Sequence, residues 1–254
     1  MRHYIAIAIN SYIEARHNKV LHVATIFVAL LILFSLFMGE VSLHQNEKVV
    51  KDIGLASISL LGVFMATYLG ITGLYQDLEK RTIYSLIAKP IDRREILFGK
   101  YFGMALVLTT LVIMMTIYLY LVTSFMEASV DFYLLPAIGL ILMELLVVAA
   151  FAVFFSSFST PILSGFFTVG MFLVGRITYE LSQFGGRSKN PVFRIFAKGI
   201  QKVYDLEAFD LRARVVHKLP IYFNDFWLPV LYATALILAL LITSSMIFNR
   251  RDFK

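Results

Sequence analysis

Glu144 stands near the middle of an otherwise apolar run, Leu134 to Phe155. An ionisable group at mid-membrane depth costs at least about 2.5 kcal/mol on insertion scales, so such a residue faces protein or water rather than lipid. Two chemistries fit it. It can line a substrate pathway or carry protons, or it can be the structural partner of a hydroxyl or of Arg176 in the following run. Arg176 and Glu180 lie four residues apart, the spacing at which helical side chains pair. Their place near the end of a run suits an interfacial anchor better than a binding site. The other concentration of charge is Tyr75 to Phe102, which holds Lys80, Arg81, Lys89, Arg93, Arg94 and Lys100. Its Gly99-Lys100 pair has no glycine upstream at phosphate-loop spacing and is followed by Tyr101, so no ATP hydrolysis is expected from this chain. The histidines, His3, His17, His22, His44 and His217, form no paired ligand set, so no metal is expected. No nucleophile elbow of the GxSxG type occurs.

The elements that carry these residues follow from composition. Of 254 residues, 59% are apolar and only 16% charged, and the mean hydropathy is +0.78. Soluble domains are about one quarter charged, so the chain reads as an integral membrane protein. Crossing a bilayer core takes about 20 apolar residues of helix. Six runs reach or approach that length: Leu21–Met38, Ile53–Leu74, Met104–Phe125, Leu134–Phe155, Ile162–Tyr179 and Phe226–Phe248. This predicts an all-α membrane domain of six spans over residues 1–254. The net charge of +6 belongs to its topology. No basic cluster interleaved with aromatics lies free of the membrane, so nucleic acid is not an expected partner. The first apolar run starts only at Leu21, is too long for a signal core and lacks a small-residue cleavage site. With no cysteine, compartment cannot be read from thiols.

The polar stretch Tyr75–Phe102 sits tightly between two charge-free runs and reads as a cytoplasmic loop. Leu78, Ile83, Leu86 and Ile87 recur at helical spacing, predicting an amphipathic helix over Gln76–Ala88. Pro90 ends it, since the residue before proline is pushed out of the helical region. Asp92 can then cap a second helix, with Glu95 three residues on, and that helix continues through Gly99 and Lys100 into the next run.

These residues carry a resemblance to the permease subunits of ABC-2 type exporters. Glu79, Thr82, Leu86, Pro90, Arg93 or Arg94, Gly99 and Lys100 match a pattern found there between the second and third spans. Thr82 comes one residue early, Ile87 replaces a leucine, and Asp92 replaces a serine or threonine. The resemblance implies that residues 75–102 form a coupling helix, with Glu79, Lys80, Arg81, Thr82, Pro90, Asp92, Arg93, Arg94, Gly99 and Lys100 serving a separate ATPase subunit. It further implies two such ATPases carrying ATP and Mg, a second permease copy completing the pathway, no cofactor in this chain, and an inner-membrane location with both termini cytoplasmic. The alternative is a stand-alone secondary transporter or membrane scaffold. Such transporters often show internal repeats and several mid-membrane charges; here only Glu144 is central and no repeat is visible.

The remaining segments are read in the same way. Residues 1–19 place Ile5, Ile9, Tyr12 and Ile13 on one face, predicting an interfacial helix. Gly62, Gly70 and Gly73 predict close helix approach in the second run. Val41–Asp52 reads as a loop, Ser156–Pro161 as a tight turn, and Pro161 as the first turn of a helix. Leu181–Asp225 has an apolar stripe at Phe193, Phe196, Ala197, Ile200 and Val203, predicting short amphipathic helices on or dipping into the membrane. The resemblance places them on the side away from the ATPase, as re-entrant helices. Charge counting disagrees. With six spans the inside holds twelve Lys/Arg and the outside ten, eight of them in Leu181–Asp225. A fifth run that turned back as a hairpin would give seventeen inside to five outside, so the positive-inside rule alone prefers five crossings.

Overall fold

The computed structural model describes residues 46–79, 93–127, 132–187 and 204–250, with Gly199 and scattered helical residues between 8 and 37. Regular structure among the described residues is entirely helical. The long elements are α1 (Asn46–Glu79), α2 (Arg93–Glu127), α3 (Leu135–Ser156), α4 (Pro161–Arg187) and α6 (Phe223–Arg250). A five-residue helix, α5 (Arg212–Val216), and 3-10 turns at Phe132–Leu134 and Glu207–Phe209 complete them. All five long helices are long and apolar enough to cross a membrane, the spans running Glu47–Gly73, Arg94–Ser124, Phe132–Ser156, Pro161–Thr178 and Phe223–Phe248. The chain is an all-α, multi-pass membrane protein.

The spans α1 and α3 form the centre, each 67% covered by protein, whereas those of α4 and α6 are 22% and 28% covered and turn most of their apolar surface outward. The centre is parallel and very tight. A Cβ on Gly62 would lie 2.4 Å from Leu145, and one on Gly70 would lie 2.3 Å from the Ala152 Cβ and 3.3 Å from the Ala149 carbonyl oxygen. Gly70 is thus where two backbones meet, as small residues allow when there is little hydrophobic force between membrane helices. Gly70→Val is expected to push α1 off α3 and cost about 1–3 kcal/mol or more, the range for overpacking. Gly170→Val, with nothing within 4 Å of its Cβ position, is expected to be near neutral. Thermal unfolding of the two purified variants checks the contrast, and equal melting points would contradict it.

The helices alternate in direction. Gly54 lies against Leu119 and Gly73 against Met104, so α2 runs antiparallel to α1; Gly165 lies against Ile71, so α4 does too. Phe226 lies over Gly139, which sets the start of α6 beside that of α3. The end of α1, the start of α2 and the α3–α4 turn therefore share one end of the bundle. The starts of α1, α3 and α6 share the other.

Several expectations shift. Helix α1 begins at Asn46, so residues 46–52 are helix rather than loop, and Lys51 is buried at 3% exposure. Helix α4 begins at Pro161 and continues unbroken to Arg187, which leaves no place for a hairpin in the fifth run. Of the eight basic residues in Leu181–Asp225, Arg212 is ion-paired to Asp210 and Arg214 to Asp225, which ties up part of the charge that argued for five crossings. The first apolar run, the stripe Phe193–Val203 and the tail beyond Arg250 lie outside the described residues, apart from scattered positions. Ala8–Asn10, Tyr12 and Ile13 are helical, with Ile9 and Ile13 exposed. Tyr12 packs on the core, its hydroxyl 3.4 Å from that of Thr110 midway along α2, a contact the surface-lying reading did not anticipate.

Candidate functional site

Glu144 is fully buried at the tenth position of the 22-residue helix α3. An unpaired carboxylate there would be untenable. Arg176 of α4 meets it: one guanidinium nitrogen, Nη2, lies 2.8 Å from each carboxylate oxygen. The hydrogen bond goes to Oε2, while Oε1 accepts none and feels the cation by charge alone. Ser59 of α1 lies between them, accepting from Arg176 Nη2 at 3.2 Å and 3.4 Å from Glu144 Oε2. Both structural partners anticipated for Glu144, a hydroxyl and Arg176, are therefore present.

Arg176 uses its other nitrogen elsewhere. Nη1 donates to Asp210 Oδ2 at 2.9 Å, and the guanidinium sits 5.7 Å from the centroid of the Phe172 ring. The planar fork of arginine lets one side chain hold two carboxylates in fixed directions. It does not turn to Glu180, so the pairing expected from their spacing is replaced by contacts to residues 32 and 34 positions away in sequence. The reason is desolvation: Glu144 has no exposure and needs the cation, whereas Glu180 is exposed to solvent or headgroups.

Asp210 belongs to the segment that follows α4 and folds back into the bundle. It accepts from its near neighbour Arg212, from Nε at 2.9 and 3.0 Å and from the backbone N–H at 3.0 Å. Burial alone would raise the pKa of Asp210, but the hydrogen bonds and charge of Arg212, with Arg176 behind them, hold it below the ordinary aspartate range. The hydrogen bond to Asp210 in turn raises that of Arg212. Two cations and two anions thus close on each other, tying α1, α3, α4 and the fold-back segment into one balanced network.

The fold-back itself is deep. The Leu206 N–H donates to the Gly175 carbonyl at 3.1 Å, one residue before Arg176. A Cβ on Gly175 would lie 2.5 Å from Leu206 and 2.8 Å from Tyr204, so only glycine lets the segment in. Glu144, at the same level, is twelve residues past Phe132, roughly 18 Å along the helix from that end. Leu206, Phe209, Leu211, Val215 and Val216 are buried in the common core, and Tyr204 stacks edge-on against Phe151. Non-helical backbone at such depth is tolerated only where protein or a water-filled cavity surrounds it. Asp210 and Arg212 were not singled out by sequence reasoning. The available signal was the interleaving of the acids Asp205, Glu207 and Asp210 with the apolar residues Leu206, Phe209 and Leu211, inside a stretch read as lying on or dipping into the membrane surface.

The loop residues fall differently. Lys80, Arg81, Thr82, Pro90 and Asp92 lie outside the described residues, as does most of the helix expected at Gln76–Ala88. Glu79 closes α1 and Arg93 opens α2, where Asp92 was expected to cap; Arg94 is exposed in the first turn. Gly99 and Lys100 are buried, and the Lys100 ammonium donates to the carbonyl of Gly73. Lys100 thus grips α1 about a turn and a half before that helix ends, at the base of the loop rather than on its outer face. No group of three or more potential metal ligands occurs among the described residues.

The described residues thus form a polytopic helical bundle with a charge network at mid-depth. Residues 5–253 match the family described as ABC-2 family transporter protein. The match covers nearly the whole chain, which therefore belongs to the ABC-2 transporter family and is a transmembrane subunit of an ABC transporter. No curated protein matches the chain at significant similarity.

Proposed function

We propose that the chain is the permease of an ATP-driven exporter, working as a homodimer and coupled through residues 75–102 to separate ATPase subunits that carry the ATP and Mg. The observation that carries this reading is the base of the loop. Helices α1 and α2 are continuous up to Glu79 and from Arg93, and Lys100 fastens one to the other just inside. A push on residues 80–92 would move both helices together rather than being absorbed in a slack linker. Within this reading Gly99 and Lys100 position the loop, while Glu79, Arg81 and Arg94 are the candidates to meet the partner. With the loop cytoplasmic, both termini lie in the cytoplasm of an inner-membrane protein and residues 204–216 lie on the far side. The transported substrate is of a kind suited to nearly charge-free spans, an apolar or lipid-like molecule.

Affinity purification in mild detergent is expected to bring down an ATPase in equimolar amount, and nucleotide hydrolysis in the eluate should depend on it. A permease that elutes alone and transports without ATP would return the chain to the class of secondary transporters. Because the protein lacks cysteine, side can be tested on a clean background. Cysteine placed at Ser188 should react with an impermeant reagent in intact cells and cysteine at Ser85 should not. Reaction of neither until lysis would favour a five-crossing arrangement.

A further inference from the structure

The span of α4 is apolar outside and polar inside. Ile162, Phe166, Leu173 and Ile177 are exposed, whereas its buried positions are Ser164, Thr168, Gly175 and Thr178. Close helix contact accounts for small residues there, and glycine or alanine would serve it as well. The hydroxyls need a further reason. A serine or threonine in a helix has a ready partner in the carbonyl one turn back. Thr72, Thr109, Thr116, Thr168, Thr234 and Thr243 all use it. Four buried hydroxyls make no hydrogen bond at all: Thr67 of α1, Ser156 of α3, Ser164 of α4 and Ser244 of α6. They come from four helices, yet all lie toward the end of the bundle that carries the loop. Gly70, one turn after Thr67, meets Ala152, one turn before Ser156. Gly165, beside Ser164, lies against Ile71, one turn after Thr67. Ser244 stands in the last two turns of α6, which starts beside the start of α3. The Ala149 carbonyl oxygen, 3.3 Å from the Cβ position of Gly70, adds an acceptor at the same crossing. Unpaired buried polar atoms are costly, and a bound water shared by about two to four of them is the usual remedy.

We propose that these four hydroxyls line a crevice of bound water that enters the subunit from the loop end, between α1, α3, α4 and α6, and runs along the polar face of α4 past Thr168 toward Glu144. The stretches that carry them, residues 60–74, 145–170 and 230–246, contain no charged residue, so the crevice takes water and neutral hydroxyl groups rather than ions. Its inner end is Glu144 Oε1, the carboxylate oxygen that accepts no hydrogen bond. The buried charge network is thereby in contact with water on the loop side, by a route inside one subunit and separate from any pathway shared with a second copy.

The proposal goes beyond the transport reading, and its tests need neither substrate nor ATPase. The chain has no cysteine, and exchanging serine for cysteine alters a single heavy atom. Thiols react as thiolates, which dry apolar surroundings suppress, so Ser156→Cys and Ser164→Cys in membrane vesicles should react with a small impermeant thiosulfonate about tenfold faster than Ala150→Cys. Ala150 is as fully buried as either serine and lies at a similar depth. The reaction should come from the side on which Ser85→Cys reacts. If one serine variant does not insert, Ser244→Cys takes its place with the same expected gain. Rates equal to that of Ala150→Cys overturn the crevice, and reaction only from the side of Ser188→Cys overturns its entry from the loop end. Thr67→Val gives a second reading, since it keeps the shape and removes the hydroxyl. An unpaired hydroxyl in a dry core is a net cost, so its removal there would raise the melting point of the purified protein. With water bound to Thr67 the melting point should stay the same or fall, and a rise overturns the proposal.

Discussion

Arg176→Ala is expected to be the most damaging single change to the stability of this protein. It leaves Glu144 buried without its ion-pair partner and Asp210 with Arg212 alone. Breaking a buried pair by removing one partner costs about 3–5 kcal/mol, because the remaining charge is stranded. Glu144→Gln is the milder counterpart. The amide oxygen still accepts from Arg176, and Arg176 keeps Asp210, so the loss is nearer the 1.5–3 kcal/mol of a charge-assisted hydrogen bond, roughly half as much. Thermal unfolding of the purified variants, read beside their yield in the membrane, gives the order. A Glu144→Gln variant as unstable as Arg176→Ala would mean that the carboxylate charge itself is indispensable. A fully stable Arg176→Ala would mean that the network does not hold the segment. If Glu144 instead handles substrate or protons, Glu144→Gln should lower transport while leaving assembly and melting unchanged.

The second large effect is expected at the loop. Glu79→Ala, Arg81→Ala and Arg94→Ala should lower the ATPase activity of the reconstituted complex, and at least one should weaken co-elution of the two subunits. Glu79 and Arg81 stand two residues apart and so face different sides if the helix of α1 continues through them. At most one can then pack against the spans, which leaves the other for the partner. Arg94 is exposed already. Truncating a desolvated interfacial charge costs about 2–5 kcal/mol of binding, partly by leaving its mate unpaired. Lys100→Met makes a useful contrast, because it removes the grip on Gly73 without touching an outer surface. It should lower ATP-dependent turnover while leaving co-elution intact. Normal activity and co-elution in all of Glu79→Ala, Arg81→Ala and Arg94→Ala would return the loop to a simple topology signal.

The sequence by itself determined the class, the positions of the spans and the family. The physical reason is that crossing a bilayer is a one-dimensional requirement, about 20 apolar residues in a row with every backbone group bonded inside its own helix. Five of the six predicted runs fall on long apolar helices of the structure, although the spans of α1 and α2 begin at Glu47 and Arg94, well before Ile53 and Met104, and the turn at Ser156–Pro161 stands where expected. The use of Gly62 and Gly70 was also legible, since glycines on a helix in lipid have few other purposes. Pairing was not legible. Arg176 and Glu180 satisfied the local rule for a helical pair, yet Arg176 chose Glu144 and Asp210, because burial, not spacing, sets which carboxylate most needs a cation. Residues 204–216 were expected on or dipping into the membrane, but how their charges are paired escaped for a related reason. A short segment with Asp205, Asp210, Arg212 and Arg214 shows no partner for its charges until the bundle brings Arg176 and Asp225 to it. Lys100 matched a family position assigned to the partner-facing loop, and only the crossing of α1 and α2 turned its ammonium inward to the Gly73 carbonyl. Spans are properties of contiguous residues. The network, the fold-back segment and the loop base are properties of residues from different helices, and these meet only once the helices have packed.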